Sequence, residues 1–298
     1  MTVGVLGLGH IGGSLARALR AAGEEVVGWD ADVEVRRAAS EAGVDTEAPV
    51  AEADLVVVAT PLRDLHTDVA SMLDAVDTAR TTVTDVASVK GPVLAAAAGH
   101  PAFVSGHPMA GTERSGWGAA DPDLFRNAPW LVLVADGAAT ERVAAVCRLA
   151  LAVGARPVPI HPQSHDRALA TVSHLPHVLA AALTLQAEQH LPLAAGSLHG
   201  AARVAAGDPA LPTAMVDLNR EAVEAALVHL TRTLEQFRAA PDPARWFVSA
   251  RAVWDRFNGR DLVVVERPLT PTGLRAVGEV GGHVIAVGAG TFTAEVPR

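Results

Sequence analysis

The segment Gly7-Leu8-Gly9-His10-Ile11-Gly12 constrains the fold of this chain more than any other. It follows an apolar run over residues 2–6 that reads as a strand, and it opens a helical pattern over residues 11–22. In that setting a G-x-G-x-x-G spacing has a mechanical meaning. Gly7 permits the tight turn, Gly9 lets backbone approach a pyrophosphate, and Gly12 lets helix and strand pack closely. The anion then meets unpaired N–H groups at the positive end of the helix. A second strand pattern, residues 25–29, is closed by Asp30, eighteen residues beyond Gly12. A carboxylate there accepts hydrogen bonds from a ribose and repels a 2′-phosphate. The expectation is an NAD site in which His10 and Ile11 share the turn. Arg36 and Arg37 either bear on the choice between NAD and NADP or are solvated helix charges.

The rest of the first half keeps the same rhythm. Helical residues 33–42 precede an apolar strand run at 55–59, and further strand patterns fall at 82–85, 102–105 and 130–134. Alternating strands and amphipathic helices imply βαβ units and a mainly parallel sheet covered on both faces. Thr60-Pro61 would then lie at the carboxyl edge of that sheet, where such folds bind ligands. Near residue 164 the pattern turns helical and stays so to about residue 257, broken at Pro192, Gly207-Asp208-Pro209 and Pro241-Asp242-Pro243. The predicted architecture is an α/β Rossmann-type doubly wound sheet over residues 1–163, then an all-helical dimerisation domain over residues 164–258. A short tail follows over residues 259–298, with a strand, a helix and a strand. Ala-rich helices in a domain of this size commonly pack against a second subunit, so a homodimer is expected.

Composition narrows the function classes. A net charge of −9 without a Lys/Arg cluster argues against a nucleic-acid partner. The lone cysteine, Cys147, cannot form an internal disulfide and fits a reducing compartment. It falls in a helical pattern over residues 141–152 and reads as a small core residue. The apolar run 175–185 is short for a bilayer and contains His177. With no basic n-region or cleavage site near Met1, the expectation is a cytoplasmic protein without a membrane partner.

Four further segments carry the chemistry. They are Asp85-Val86-Ala87-Ser88-Val89-Lys90, Gly106-His107-Pro108-Met109-Ala110-Gly111-Thr112-Glu113, Ser173-His174-Leu175-Pro176-His177 and Arg203-Val204-Ala205-Ala206-Gly207-Asp208-Pro209. In this order, over roughly residues 1–240, the chain resembles the prephenate/arogenate dehydrogenase family. The resemblance implies NAD-dependent oxidative decarboxylation of a cyclohexadienol acid: prephenate to 4-hydroxyphenylpyruvate, on the route to tyrosine. Arogenate or an amino-deoxyprephenate is the alternative substrate.

The resemblance makes His107 the catalytic base, and imidazole has a pKa suited to taking a hydroxyl proton near neutrality. Ser88 could fix the His107 tautomer, touch the substrate hydroxyl, or cap a helix. His174 and His177, three apart, share a face if helical and are implied to bind the substrate side chain. Pro176 between them argues that a helix begins there. Arg203 is implied to hold the ring carboxylate, for which guanidinium offers a bidentate fork. Lys90 and Glu113 are supporting residues or solvated charges. The pair His174/His177 with His165-Asp166 nearby is a poor match to zinc spacings, so no metal is expected. After Asp208-Pro209 the chain has Leu211-Pro212-Thr213, where an aromatic is usual in the family. A rival of another class is a non-catalytic NAD-sensing regulator, which would not need Ser88, His107 and Arg203 together.

Overall fold

The structure, a computed structural model, describes residues 1–111 and 114–298. The strands β1 (Thr2–Leu6), β2 (Glu25–Trp29), β3 (Leu55–Val58) and β4 (Thr82–Asp85) form a parallel sheet in the order β2-β1-β3-β4. Helices α1 (His10–Ala21), α2 (Val33–Glu41), α3 (Leu65–Ala75) and α4 (Gly91–Ala97) connect or follow them. The sheet is apolar on both faces because its side chains alternate. Val3, Val5, Leu55 and Val57 join one cluster with Leu15 and Leu19 of α1. Val56, Val58 and Val83 join the other with Val69 and Leu73 of α3 and Val93 of α4. Each such side chain contributes about 1.5–3 kcal/mol when fully buried. A central strand made only of apolar residues, Leu-Val-Val-Val in β3, is thereby accounted for.

Beyond β4 the sheet changes character. Residues 102–105, expected as a strand, make only one parallel bridge, Val83 to Phe103. The regular strand comes just after, as β5 (Gly106–Pro108), and it runs antiparallel to β6 (Pro129–Leu133). The parallel strand β7 (Arg156–Ile160) completes this second sheet behind α5 (Thr140–Ala152). His107 therefore sits within a strand, paired with Leu131, rather than in a loop beyond one.

The helical part opens with a continuous helix over Pro162–Gln186, made of α6 (Pro162–Leu169), a π-helical turn (Ala170–His174) and α7 (Leu175–Gln186). The α-helical stretch α7 does begin beside Pro176, which lies in its first turn, but it continues the preceding helix instead of starting a separate one. The amide of Leu175 reaches back to the carbonyl of Ala170, one residue further than in an α-helix. That wide turn lies just upstream of Pro176, which can donate no hydrogen bond and would crowd the preceding turn. The joined helix is longer than the apolar run suggested, and by length and composition alone it could cross a bilayer. Yet His165 and His174 on it are fully buried in the protein. Helices α8 (Gly196–Ala202), α9 (Ala210–Leu218), α10 (Arg220–Ala239) and α11 (Pro243–Asn258) follow, with breaks at the three predicted places.

The tail holds one more strand than its sequence suggested. The strands β8 (Leu262–Pro268), β9 (His283–Val287) and β10 (Thr291–Pro297) form an antiparallel sheet with β10 in the middle, and α12 (Pro271–Glu279) links the first two. Leu274, Val277, Val284 and Phe292 enter the same core as α5 and β6. The closest approach is at Gly278, where an added Cβ would lie 1.8 Å from the carbonyl oxygen of Pro159 in β7. Backbone meets backbone there, so nothing can swing aside. Gly278→Ala should loosen the tail at a cost of about 1–3 kcal/mol. Faster proteolysis between residues 259 and 298 and a lower Tm would register it, while an unchanged Tm would contradict this packing.

Candidate active site

The glycine turn is built as its spacing requires. Gly7 has φ +92°, and a Cβ there would meet the carbonyl of Ala59 at 2.7 Å. At Gly12 a Cβ would lie 1.9 Å from the Gly7 carbonyl oxygen, so the helix could not close on the strand. Gly9, by contrast, faces open space, which leaves room for a pyrophosphate over the start of α1. Asp30 is fixed by two backbone amides, Leu8 N–H at 2.7 Å and Asp32 N–H at 3.0 Å. Gly7, Gly9, His10, Ile11, Asp30, Thr60 and Pro61 all line one cavity of about 720 Å³, whereas Gly12 lies behind it. The open face over Gly9 and the anchored Asp30 carboxylate fit a dinucleotide.

The two neighbouring arginines separate. Arg37 is exposed and paired with Glu34 and Glu41. Arg36 instead donates to the Asp30 carbonyl at 2.5 Å and lies over the Trp29 ring. Thr60 donates to Asp68 at 2.5 Å, which ties the β3 edge to α3.

A second cavity of about 400 Å³ abuts the first, and Ser88, His107, Arg114 and Leu211 line both. Its far wall comes from the helical part: Ser173, His177, Arg203, Asp208 and Met215. Ser173 and His177 are one α-helical turn apart, and with Arg114 they were not all foreseen as a group. The signal for Ser173 was its place in the Ser-His-Leu-Pro-His segment. Arg114 directly follows the Gly106–Glu113 segment, and that adjacency is its signal in the sequence.

His174 is placed differently from expectation. It is fully buried, lines neither cavity, and holds its Nδ1 3.1 Å from Nδ2 of Asn219. The π-helical turn rotates it inward, away from the cavity wall that His177 joins. Ser88 makes no hydrogen bond to His107 among the described residues and caps no helix. The residue before α4 is Lys90, and the amides of Lys90 and Gly91 are capped at 2.9 Å by Asp166 from α6. Glu113 lies outside the described residues. Among the described residues no group of three or more metal-ligating side chains comes together.

Beneath His107 lies a charged network closed to solvent. Lys90, fully buried, donates from Nζ to Asp85 Oδ2 and to the Gly106 carbonyl, both at 2.5 Å. The other Asp85 oxygen accepts from Ser105 Oγ at 2.6 Å. Burial pulls the Lys90 ammonium below its ordinary value, although Asp85 and Asp166 oppose the shift. His107 is held well below the usual histidine range, first by burial, then by the Lys90 charge and by His165 and His174. His177 is lowered by burial and by Arg203. All of this favours neutral imidazoles on the cavity side at neutral pH.

Comparison with known proteins places these features in a family. Residues 15–158 match the family described as "Prephenate dehydrogenase, nucleotide-binding domain", and residues 161–243 match "Prephenate dehydrogenase, dimerization domain". The prephenate dehydrogenase of Bacillus subtilis is 33% identical over 70% of this chain, and the match spans 62% of that protein. The cyclohexadienyl dehydrogenase of Zymomonas mobilis is 30% identical over 80% of this chain and 87% of its own length. The crystal structure of an Aquifex aeolicus prephenate dehydrogenase in complex with hydroxyphenyl propionate and NAD+ superposes with a TM-score of 0.77. It is 25% identical and covers 86% of this chain and 98% of that one.

The buried ion pair makes a direct prediction. Replacing Lys90 by Met leaves the Asp85 carboxylate uncompensated in the interior, which costs about 3–5 kcal/mol. Urea unfolding of Lys90→Met should show this, and adding Asp85→Asn should recover part of it. A single substitution without loss of stability would mean the pair is not closed to water.

Proposed function

The chain belongs to the prephenate dehydrogenase family, and we propose that it catalyses the NAD-dependent oxidative decarboxylation of prephenate to 4-hydroxyphenylpyruvate in tyrosine biosynthesis. The observation that carries this reading is the place of His107, on the wall shared by the dinucleotide cavity and the smaller cavity beside it. A hydride donor in the small cavity and its acceptor in the large one would meet there. Gly7, Gly9 and Asp30 would hold NAD in the large cavity, and the bound cofactor would supply the hydride acceptor; the Aquifex relative is a complex with NAD+.

The chain's own residues orient the substrate and manage one proton. Two guanidinium groups, Arg203 and Arg114, line the small cavity and suit a dicarboxylate. Arg203 takes the ring carboxylate in this reading, and Ser173 with His177 faces the side chain. His107 accepts the proton of the ring hydroxyl as the carbon bearing it loses hydride. The bond from the ring to its carboxylate then breaks, carbon dioxide leaves, and the electron pair makes the ring aromatic. The proton returns to the phenolate oxygen, so none is consumed. Positioning and proton placement are the protein's share of the catalysis.

One feature favours a second substrate. Asp208 also lines the small cavity, and its carboxylate would meet the side-chain ammonium of arogenate. Comparing kcat/KM for prephenate and arogenate decides between them. A second copy of the chain completes the enzyme in our reading. Phe247, Val248, Trp254 and Phe257 of α11 are exposed in the single chain, an apolar face suited to a subunit contact. Cys147 takes no part: it is buried, with its thiol pushed up to about 12 by burial.

His107 must be neutral to take a proton, and its environment favours the neutral form. The rate should therefore hold at neutral pH and fall only well below pH 6.5, as the ring becomes charged. His107→Asn keeps a hydrogen-bonding group but no base. It should lose about 10²–10⁴-fold in kcat, together with the acid limb, at nearly unchanged KM. Arg203→Gln should instead mainly raise KM, because a carboxylate anchor acts in ground and transition states alike. Near-normal kcat with the same acid limb in His107→Asn would move the base elsewhere.

A further inference from the structure

His165 is fully buried and lines neither cavity, yet its Nε2 lies 2.9 Å from Nδ1 of His107. On its other side its Nδ1 lies 2.7 Å from Oδ1 of Asp166. Asp166 is itself immobilised by the amides of Lys90 and Gly91 at the start of α4. Three groups thus stand in line, from a partly exposed carboxylate through a buried imidazole to the cavity: Asp166, His165, His107.

Hydrogen-bonding rules fix where the protons sit along that line. The amides already donate to the Asp166 carboxylate, and His165 lowers its pKa although burial alone would raise it. An ionised carboxylate only accepts, so Nδ1 of His165 carries the proton. Neutral His165 then presents a bare Nε2, which can only accept, and Nδ1 of His107 must be the donor. This leaves Nε2 of His107 bare and turned to the shared cavity wall. A charged His165 would reverse the order by donating to His107 and placing a proton on the nitrogen that must act as base. Burial, the largest influence on His165, disfavours that state.

We propose that His165, held by Asp166, is the positioning residue for the base: it selects the Nδ1–H tautomer of His107 and accepts a hydrogen bond from the imidazolium that forms during turnover. The proposal rests on His107 being the base. It replaces Ser88, which makes no such contact, as the group that sets the tautomer. The arrangement has the logic of a carboxylate–histidine pair behind a catalytic group, with a second imidazole in place of the hydroxyl. Among the described residues, Lys90 from the β4–α4 segment, with its partner Asp85, and His174 from the π-helical turn also bear on the charge of His107. They differ from His165 in having no hydrogen bond to the His107 ring.

The test uses the full-length enzyme with prephenate and arogenate. His165→Leu removes the acceptor and should lower kcat about 10- to 100-fold, as expected for a lost hydrogen bond to a charge. KM should change less than about twofold, because the side chain does not reach the cavity. The acid limb should move to lower pH, since the His107 cation loses its acceptor. His165→Gln, whose side-chain oxygen can accept, should recover part of the rate. In a His107→Asn background, His165→Leu should cost nothing further. Equal losses in both backgrounds, or normal kcat and pH limb in the single variants, would overturn the proposal. A readout independent of any variant's folding is the ring-nitrogen NMR of isotope-labelled histidine in the wild-type protein. Proton on Nδ1 and none on Nε2 of His107 is expected, and the opposite tautomer would refute the inference. Failure of the wild type to turn over either substrate would instead count against the proposed function, and leaves the tautomer result standing.

Discussion

The contact on which the rest of this site depends is the ion pair between Lys90 and Asp85. Neither side chain reaches solvent, and further hydrogen bonds to both ions offset the cost of burying them. Lys90 adds the Gly106 carbonyl, and Asp85 adds the Ser105 hydroxyl. These partners belong to different parts of the sheet. Asp85 ends the parallel strand β4, and Gly106 opens the antiparallel strand that carries His107. The pair therefore holds together a sheet whose regular pairing lapses between those strands, where only the Val83–Phe103 bridge remains. His107, the base in our proposal, is thus set in a strand held by charge as well as by ladder bonds.

The nucleotide half was legible from the sequence because local rules decide it. A strand, three glycines at fixed spacing and an acid after the next strand leave few alternatives; Gly7 and Gly12 meet backbone where a side chain would be, and Gly9 faces open space. The continuous apolar run at 55–59 and the alternation of strands with helices likewise announced a sheet buried on both faces. The helical half was legible only in outline, from its breaks at Pro192, Gly207 and Pro241. Its interior face was not, because Pro176 looks like a helix start when read locally. Only the π-helical turn shows how the chain passes it without stopping. That one-residue offset also separates His174, turned inward to Asn219, from His177, which reaches the cavity. Spacing alone assigned both to the same face.

Other parts were invisible for a different reason. Lys90 reads in sequence as an ordinary charge, and nothing nearby says that it is fully buried. His165-Asp166 looks like a fragment of a metal site or a solvated pair. Its partners, His107 and the start of α4, lie more than fifty residues away in the chain. Long-range polar contacts leave no periodic trace, whereas helices and strands do. The same holds for β10, which completes the tail by pairing on both sides and brings its residues into the core of the first domain.

The cap that Asp166 places on α4 has a consequence for how this protein can be divided. The two matched family segments meet between residues 158 and 161, and a strand gives way to a helix there. By composition that is a natural seam. Mechanically it is not one, because the first turns of the following helix hold the start of α4 and stand against the ring of His107. A chimera joined at this seam would inherit a nucleotide fold from one parent and the support of His107, the proposed base, from the other. The unit that can be exchanged intact runs past the seam, at least through the π-helical turn, so the boundary drawn by homology is not the boundary of the working part.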